Sequence, residues 1–68
     1  MQNNLKVWRA KNDFTQQNLA DKIQVSRQTI NAMEKGKYVP STVLALKLSQ
    51  VFETSVLDIF SLEKSDWD

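Results

Sequence analysis

The 68 residues allow one domain, and a chain this short buries only about 60 % of the surface its unfolded form exposes. With no cysteine and no histidine, disulfides, zinc, haem and Cys or His nucleophiles are excluded, and the eight acidic residues are too scattered for a metal site. Net charge is only +1, yet residues 1–37 carry seven basic side chains against three acidic, and residues 38–68 two against five. A basic half is what a polyanion-binding surface requires.

The N-terminal run has no continuous apolar stretch of the signal-peptide kind, and no segment reaches the roughly 20 apolar residues that span a bilayer. A soluble, cytoplasmic protein without a membrane partner is expected. One glycine and one proline leave little room for hairpins, strand-like alternation is missing, and the apolar spacing predicts an all-α chain of five short helices. The first covers about Asn4–Lys11, with Leu5 and Trp8 on one face. Thr15 caps the second, and Phe14 before it is spaced to staple onto Leu19; Leu19, Ala20 and Ile23 point inward. The third helix repeats the device with Ser26 as cap, Val25 and Ile30 as staple, Ile30 and Met33 inward, and Gly36 as the stop. Pro40–Ser41 opens the fourth, with an apolar stripe of Leu44, Ala45, Leu48, Val51 and Phe52. Ser55 caps the fifth, Asp58 takes the far position of a capping box, and Leu57, Ile59 and Phe60 supply its apolar content. The tail "SLEKSDWD" is polar and acidic around Leu62 and Trp67.

Only Gln24 and Val25 separate helix two from the cap of helix three, which forces a steep crossing and requires a small inner residue, here Ala20. These features describe a helix-turn-helix over about residues 15–35, whose second helix suits the major groove of double-stranded DNA. With Ile30 and Met33 buried, Gln28, Asn31, Ala32 and Lys35 point away from the core, and Arg27 and Thr29 flank them. Gln28 suits an adenine edge, Arg27 a guanine edge or a phosphate, Asn31 a second base and Ala32 a thymine methyl. Phosphate contacts are expected from Thr15, Gln16 and Gln17 at the start of helix two, from Ser26 and Thr29, and from Lys35, Lys37 and Tyr38. The aromatic residues Trp8, Phe14, Phe52 and Phe60 are expected in the core or at an interface.

The run "TQQNLADKIQVSRQTINAMEKGKYVPS" resembles the signature of Cro- and lambda-repressor-like regulators, the Xre family, and the resemblance extends over residues 4–60. It is closest in kind to the minimal members that consist of this domain alone, such as the enterococcal cytolysin-repressor type. The resemblance implies a five-helix lambda-repressor-like DNA-binding fold and phosphate contacts by Gln16 and Gln17. It also implies a structural ion pair between Arg9 and Glu34 that fixes helix one against the recognition helix. At Gln24, where such proteins most often have glycine, a left-handed corner would be strained.

One recognition helix offers too few base contacts to find a site in a genome, so a homodimer reading a palindrome is expected, with half-sites roughly 34 Å apart. Its interface is expected in residues 55–68, through Leu57, Phe60, Leu62 and Trp67; the tail can alternatively pair with residues 1–3 as a short strand. With no effector domain, repression by occluding a promoter is the simplest mechanism. A module of another class, an antitoxin that neutralises a partner toxin, remains the alternative. No enzyme activity, cofactor, metal or small-molecule ligand is expected.

Overall fold

Four of the five helices begin at a hydroxyl side chain, which decides where each one starts. The computed structural model describes residues 1–68. In chain order it contains β1 (Gln2–Asn3), α1 (Leu5–Lys11), α2 (Gln16–Ile23), α3 (Arg27–Glu34), α4 (Thr42–Phe52), α5 (Val56–Ile59), β2 (Phe60–Ser61) and a closing 3₁₀-helix (Lys64–Trp67). Thr15, Ser26, Ser41 and Ser55 each accept a hydrogen bond from a first-turn backbone N–H, and each such cap contributes about 1 kcal/mol. Thr15 forms a full capping box: its Oγ1 accepts from Asn18 N at 2.9 Å, and Asn18 Oδ1 accepts from Thr15 N at 3.1 Å. The box expected at Ser55 and Asp58 does not form. Ser55 Oγ accepts from Leu57 N, and the Asp58 carboxylate accepts from the Thr54 hydroxyl instead, at 2.7 Å.

The helix ends share one geometry. After α1, α2, α3 and α4 a residue with positive φ reverses the chain: Asp13 (φ 54°), Gln24 (φ 64°), Gly36 (φ 73°) and Glu53 (φ 52°). In every case the next residue donates its N–H five residues back: Phe14 to Arg9 O, Val25 to Ala20 O, Lys37 to Ala32 O, and Thr54 to Ser49 O. This is the Schellman closure, which satisfies carbonyls the helix itself leaves open. Only one of the four corners has glycine, so the left-handed corner anticipated at Gln24 recurs at Asp13 and Glu53.

Eleven residues form the core, and all are apolar: Leu5, Leu19, Ala20, Ile23, Ile30, Met33, Leu44, Leu48, Phe52, Ile59 and Phe60. They come from α1 through β2, so the short helices bury one common centre; each fully buried Leu or Ile contributes about 1.5–3 kcal/mol by leaving water. Trp8 and Phe14 pack on its rim with ring centroids 6.2 and 6.0 Å from Phe52. The Trp8 indole N–H donates to Asp58 O at 3.2 Å, tying α1 to α5. No buried side-chain polar atom lacks a partner.

A two-residue antiparallel ladder joins the ends of the chain, with Gln2 opposite Ser61 and Asn3 opposite Phe60. The strand was foreseen as one alternative for the tail, but it recruits Phe60, which therefore closes no helix. Phe60 is 6 % exposed, and its ring belongs to the core. Beside the ladder, Asn3 Nδ2 donates to Met33 O at 2.8 Å, so β1 also holds the end of α3. The 3₁₀-helix places Asp66 3.1 Å from the Met1 amine. The hydrogen bond to Asp66 raises that amine above its ordinary value, and the Glu63 N–H followed by the amine lowers Asp66.

Candidate nucleic-acid interface

Helix α3 owes its placement to the corner before it. Ala20 and Ile23 on α2 are fully buried, as are Ile30 and, to 1 % exposure, Met33 on α3, so the two helices share an apolar seam. Gln24 sits in the left-handed region at φ 64°, ψ 46° and gives the sharp reversal. Its side chain is not idle: Lys47 of α4 donates to Gln24 Oε1 at 3.3 Å and to Ile23 O at 3.4 Å. A cation at the carbonyl end of α2 also complements the helix dipole. The sequence pattern contained no sign of this bond, because the two residues meet only in the folded chain.

The residues expected to read bases divide into two pairs. Arg27 and Gln28, in the first turn of α3, are exposed, and their side chains form no hydrogen bond within the chain. Asn31 and Ala32, one turn later, are half-buried where the chain doubles back through the Lys37–Ala32 bond. The exposed end of α3 is thus its N-terminus, where Ser26 Oγ accepts from Thr29 N at 3.2 Å and lies 3.0 Å from Thr29 Oγ1. The cap leaves the N–H groups of Arg27 and Gln28 outside the helical ladder, facing out.

The residues expected to touch phosphate occupy two other places. Thr15 and Gln17 are exposed at the start of α2, and Gln17 Nε2 donates along the helix to Asp21 Oδ1 at 2.8 Å. Gln16 is half-buried and donates to Glu34 Oε1 at 3.2 Å, which sets the start of α2 beside the end of α3. Lys35, Lys37 and Tyr38 follow directly from that end, and all three are exposed. The expected ion pair is present: Arg9 Nε lies 2.7 Å from Glu34 Oε2 and Nη2 3.3 Å from Oε1, while Nη1 donates to Phe14 O at 2.9 Å. The planar guanidinium thereby ties α1 to the end of α3 and to the loop that leads into α2.

Several large apolar side chains are exposed elsewhere on the surface. Leu57, Leu62 and Trp67 are 84, 61 and 77 % exposed. Val43 and Leu46, which the helical stripe of α4 leaves outside, are also exposed, as is Val39 before that helix. An apolar groove of about 240 Å³ is lined by Val39, Pro40, Ala45, Leu46, Val56 and Phe60. No group of three acidic side chains converges to hold a metal ion. No helix is long and apolar enough to cross a membrane.

Comparison with known proteins agrees with this geometry. The HTH_3 helix-turn-helix family matches residues 5–59. An uncharacterized HTH-type transcriptional regulator of Methanocaldococcus jannaschii is 50 % identical over 66 residues, covering 97 % of this chain and all of the relative. The Bacillus subtilis HTH-type regulator YgzD is 42 % identical over 66 residues, with 97 % and 100 % covered. A regulator of Archaeoglobus fulgidus is 42 % identical over 69 residues, covering this whole chain and 97 % of its own.

Proposed function

The chain belongs to the HTH_3 helix-turn-helix family of DNA-binding transcriptional regulators, and from that membership we propose that it is a homodimeric repressor reading a palindromic operator in the major groove. The observation that carries this reading is the first turn of α3, where Arg27 and Gln28 stand exposed and uncommitted on a helix fixed by the tight α2–α3 corner. Base edges need such donors and acceptors, held rigidly and free of internal partners. Arg27 and Gln28 make the principal base contacts, and Asn31 and Ala32 contribute at the groove wall. Thr15, Gln16, Gln17, Ser26, Thr29, Lys35, Lys37 and Tyr38 grip phosphates on either side.

The dimer forms through the apolar face of α4 and α5. A two-fold interface must be complementary to itself. Here Leu57 projects beside a groove walled by Val56, Phe60 and Leu46, so knob and hole share one patch. Leu62 lines the same patch, and Trp67 is exposed on the 3₁₀-helix. The bound dimer acts by covering promoter DNA in the cytoplasm. Selection of bound sequences from a random duplex pool tests the whole reading. A palindrome with half-site centres about one helical turn, roughly 34 Å, apart is expected. Recovery of an unenriched pool refutes base reading by α3.

A further inference from the structure

The Glu34 carboxylate accepts three hydrogen bonds from two other helices or their edges: Arg9 Nε at 2.7 Å, Arg9 Nη2 at 3.3 Å and Gln16 Nε2 at 3.2 Å. Its side chain is only 8 % exposed, so water does not compete strongly for it. The Arg9–Glu34 pair joins α1 to α3. The third bond does something else. A carboxylate only accepts, so it admits the NH₂ of Gln16 and repels its carbonyl oxygen, and one of the two amide orientations is selected.

We propose that Glu34 is a positioning residue for the DNA backbone contact: it fixes the Gln16 amide so that the second hydrogen on the same nitrogen is free to donate to a phosphate. The last residue of the recognition helix thereby sets the phosphate grip of the helix beside it. The inference rests on the reading of Gln16 as a phosphate contact, and the test separates the two.

Gln16→Ala is measured in the wild-type chain and in the R9M/E34M double variant, which removes the ion pair as a unit and releases the amide. The probe is a short duplex of mixed sequence at low salt, because backbone contacts dominate such binding. In the wild-type background Gln16→Ala weakens binding about tenfold, the loss expected of one hydrogen bond to a charged group. In the double variant the same substitution weakens it by about threefold or less, since an amide that must first be ordered contributes less. Equal losses in the two backgrounds overturn the positioning role and leave the phosphate contact standing. No loss in either overturns the contact and the inference with it. A second measurement needs no substitution: ¹⁵N relaxation of the Gln16 side-chain amide in the free protein shows it as ordered as the backbone. A freely mobile amide refutes the proposal even where the double variant fails to fold.

Discussion

Replacing Glu53 by glycine tests the account of the helix ends most directly. Glu53 lies at φ 52°, ψ 45° and is exposed, and its side chain makes no hydrogen bond or ion pair. A residue with a Cβ in this region is strained by about 1–2 kcal/mol, and glycine removes that strain. Glycine also makes the unfolded chain more flexible, which costs about 0.4–1 kcal/mol. The difference is a net stabilisation of about 0.5–1 kcal/mol, equivalent to a rise of roughly 3–6 °C in Tm for a domain of this size. Gln24→Gly releases similar strain but loses the bond from Lys47 to Gln24 Oε1, so its gain is smaller. Asp13→Gly gains least, because aspartate tolerates the left-handed region better than glutamine or glutamate. Equilibrium urea unfolding of the three variants, with unchanged m-values, gives the order Glu53, Gln24, Asp13. A loss of stability in Glu53→Gly, or a larger gain at Gln24 than at Glu53, refutes the reasoning.

On the DNA side, Gln28→Ala is expected to cost about 1–3 kcal/mol against the selected operator and to relax one base position; an unchanged ratio of operator to random duplex affinity removes Gln28 from the base readers. Lys37→Ala weakens all duplexes alike and makes the salt slope shallower by about one unit, as titrations at several salt concentrations will show. Arg9→Met leaves the largely buried Glu34 carboxylate unpaired, and a stability loss of about 3 kcal/mol is expected, whereas R9M/E34M loses much less. Thermal melts of the two variants decide that. Leu57→Asp places a charge on the proposed two-fold patch and yields a monomer by sedimentation with the melting point kept, since Leu57 is 84 % exposed and outside the core.

The helix starts were legible in the sequence because a cap is a local matter. Thr15, Ser26, Ser41 and Ser55 each bond a backbone N–H two or three residues away, and the apolar spacing around them points to one centre. Asn18 as the partner of Thr15 was equally readable and went unrecognised, since an amide stands where Glu or Gln is usual. What stayed hidden was non-local. Two-residue strands carry no alternation to detect, and Phe60 left its helix because Asn3, from the far end of the chain, pairs with it. The outward face of α3 followed from helical geometry, but the half-burial of Asn31 and Ala32 is a matter of tertiary packing. Gln16 was expected as a phosphate contact, and its bond to Glu34 emerges once α2 and α3 are packed.

The Arg9–Glu34–Gln16 cluster constrains more than its own three side chains. Because one carboxylate is gripped from α1 and α2 at once, and Asn3 holds the neighbouring carbonyl of Met33, α3 has no hinge of its own within the domain. Each half of the proposed dimer must then meet its half-site as a rigid die. Operators whose half-sites are spaced or bent differently are accommodated by DNA deformation or by the joint between protomers. In the proposed dimer, tolerance to operator spacing is a property of the Leu57 face and tolerance to base changes a property of α3, and the two can vary independently.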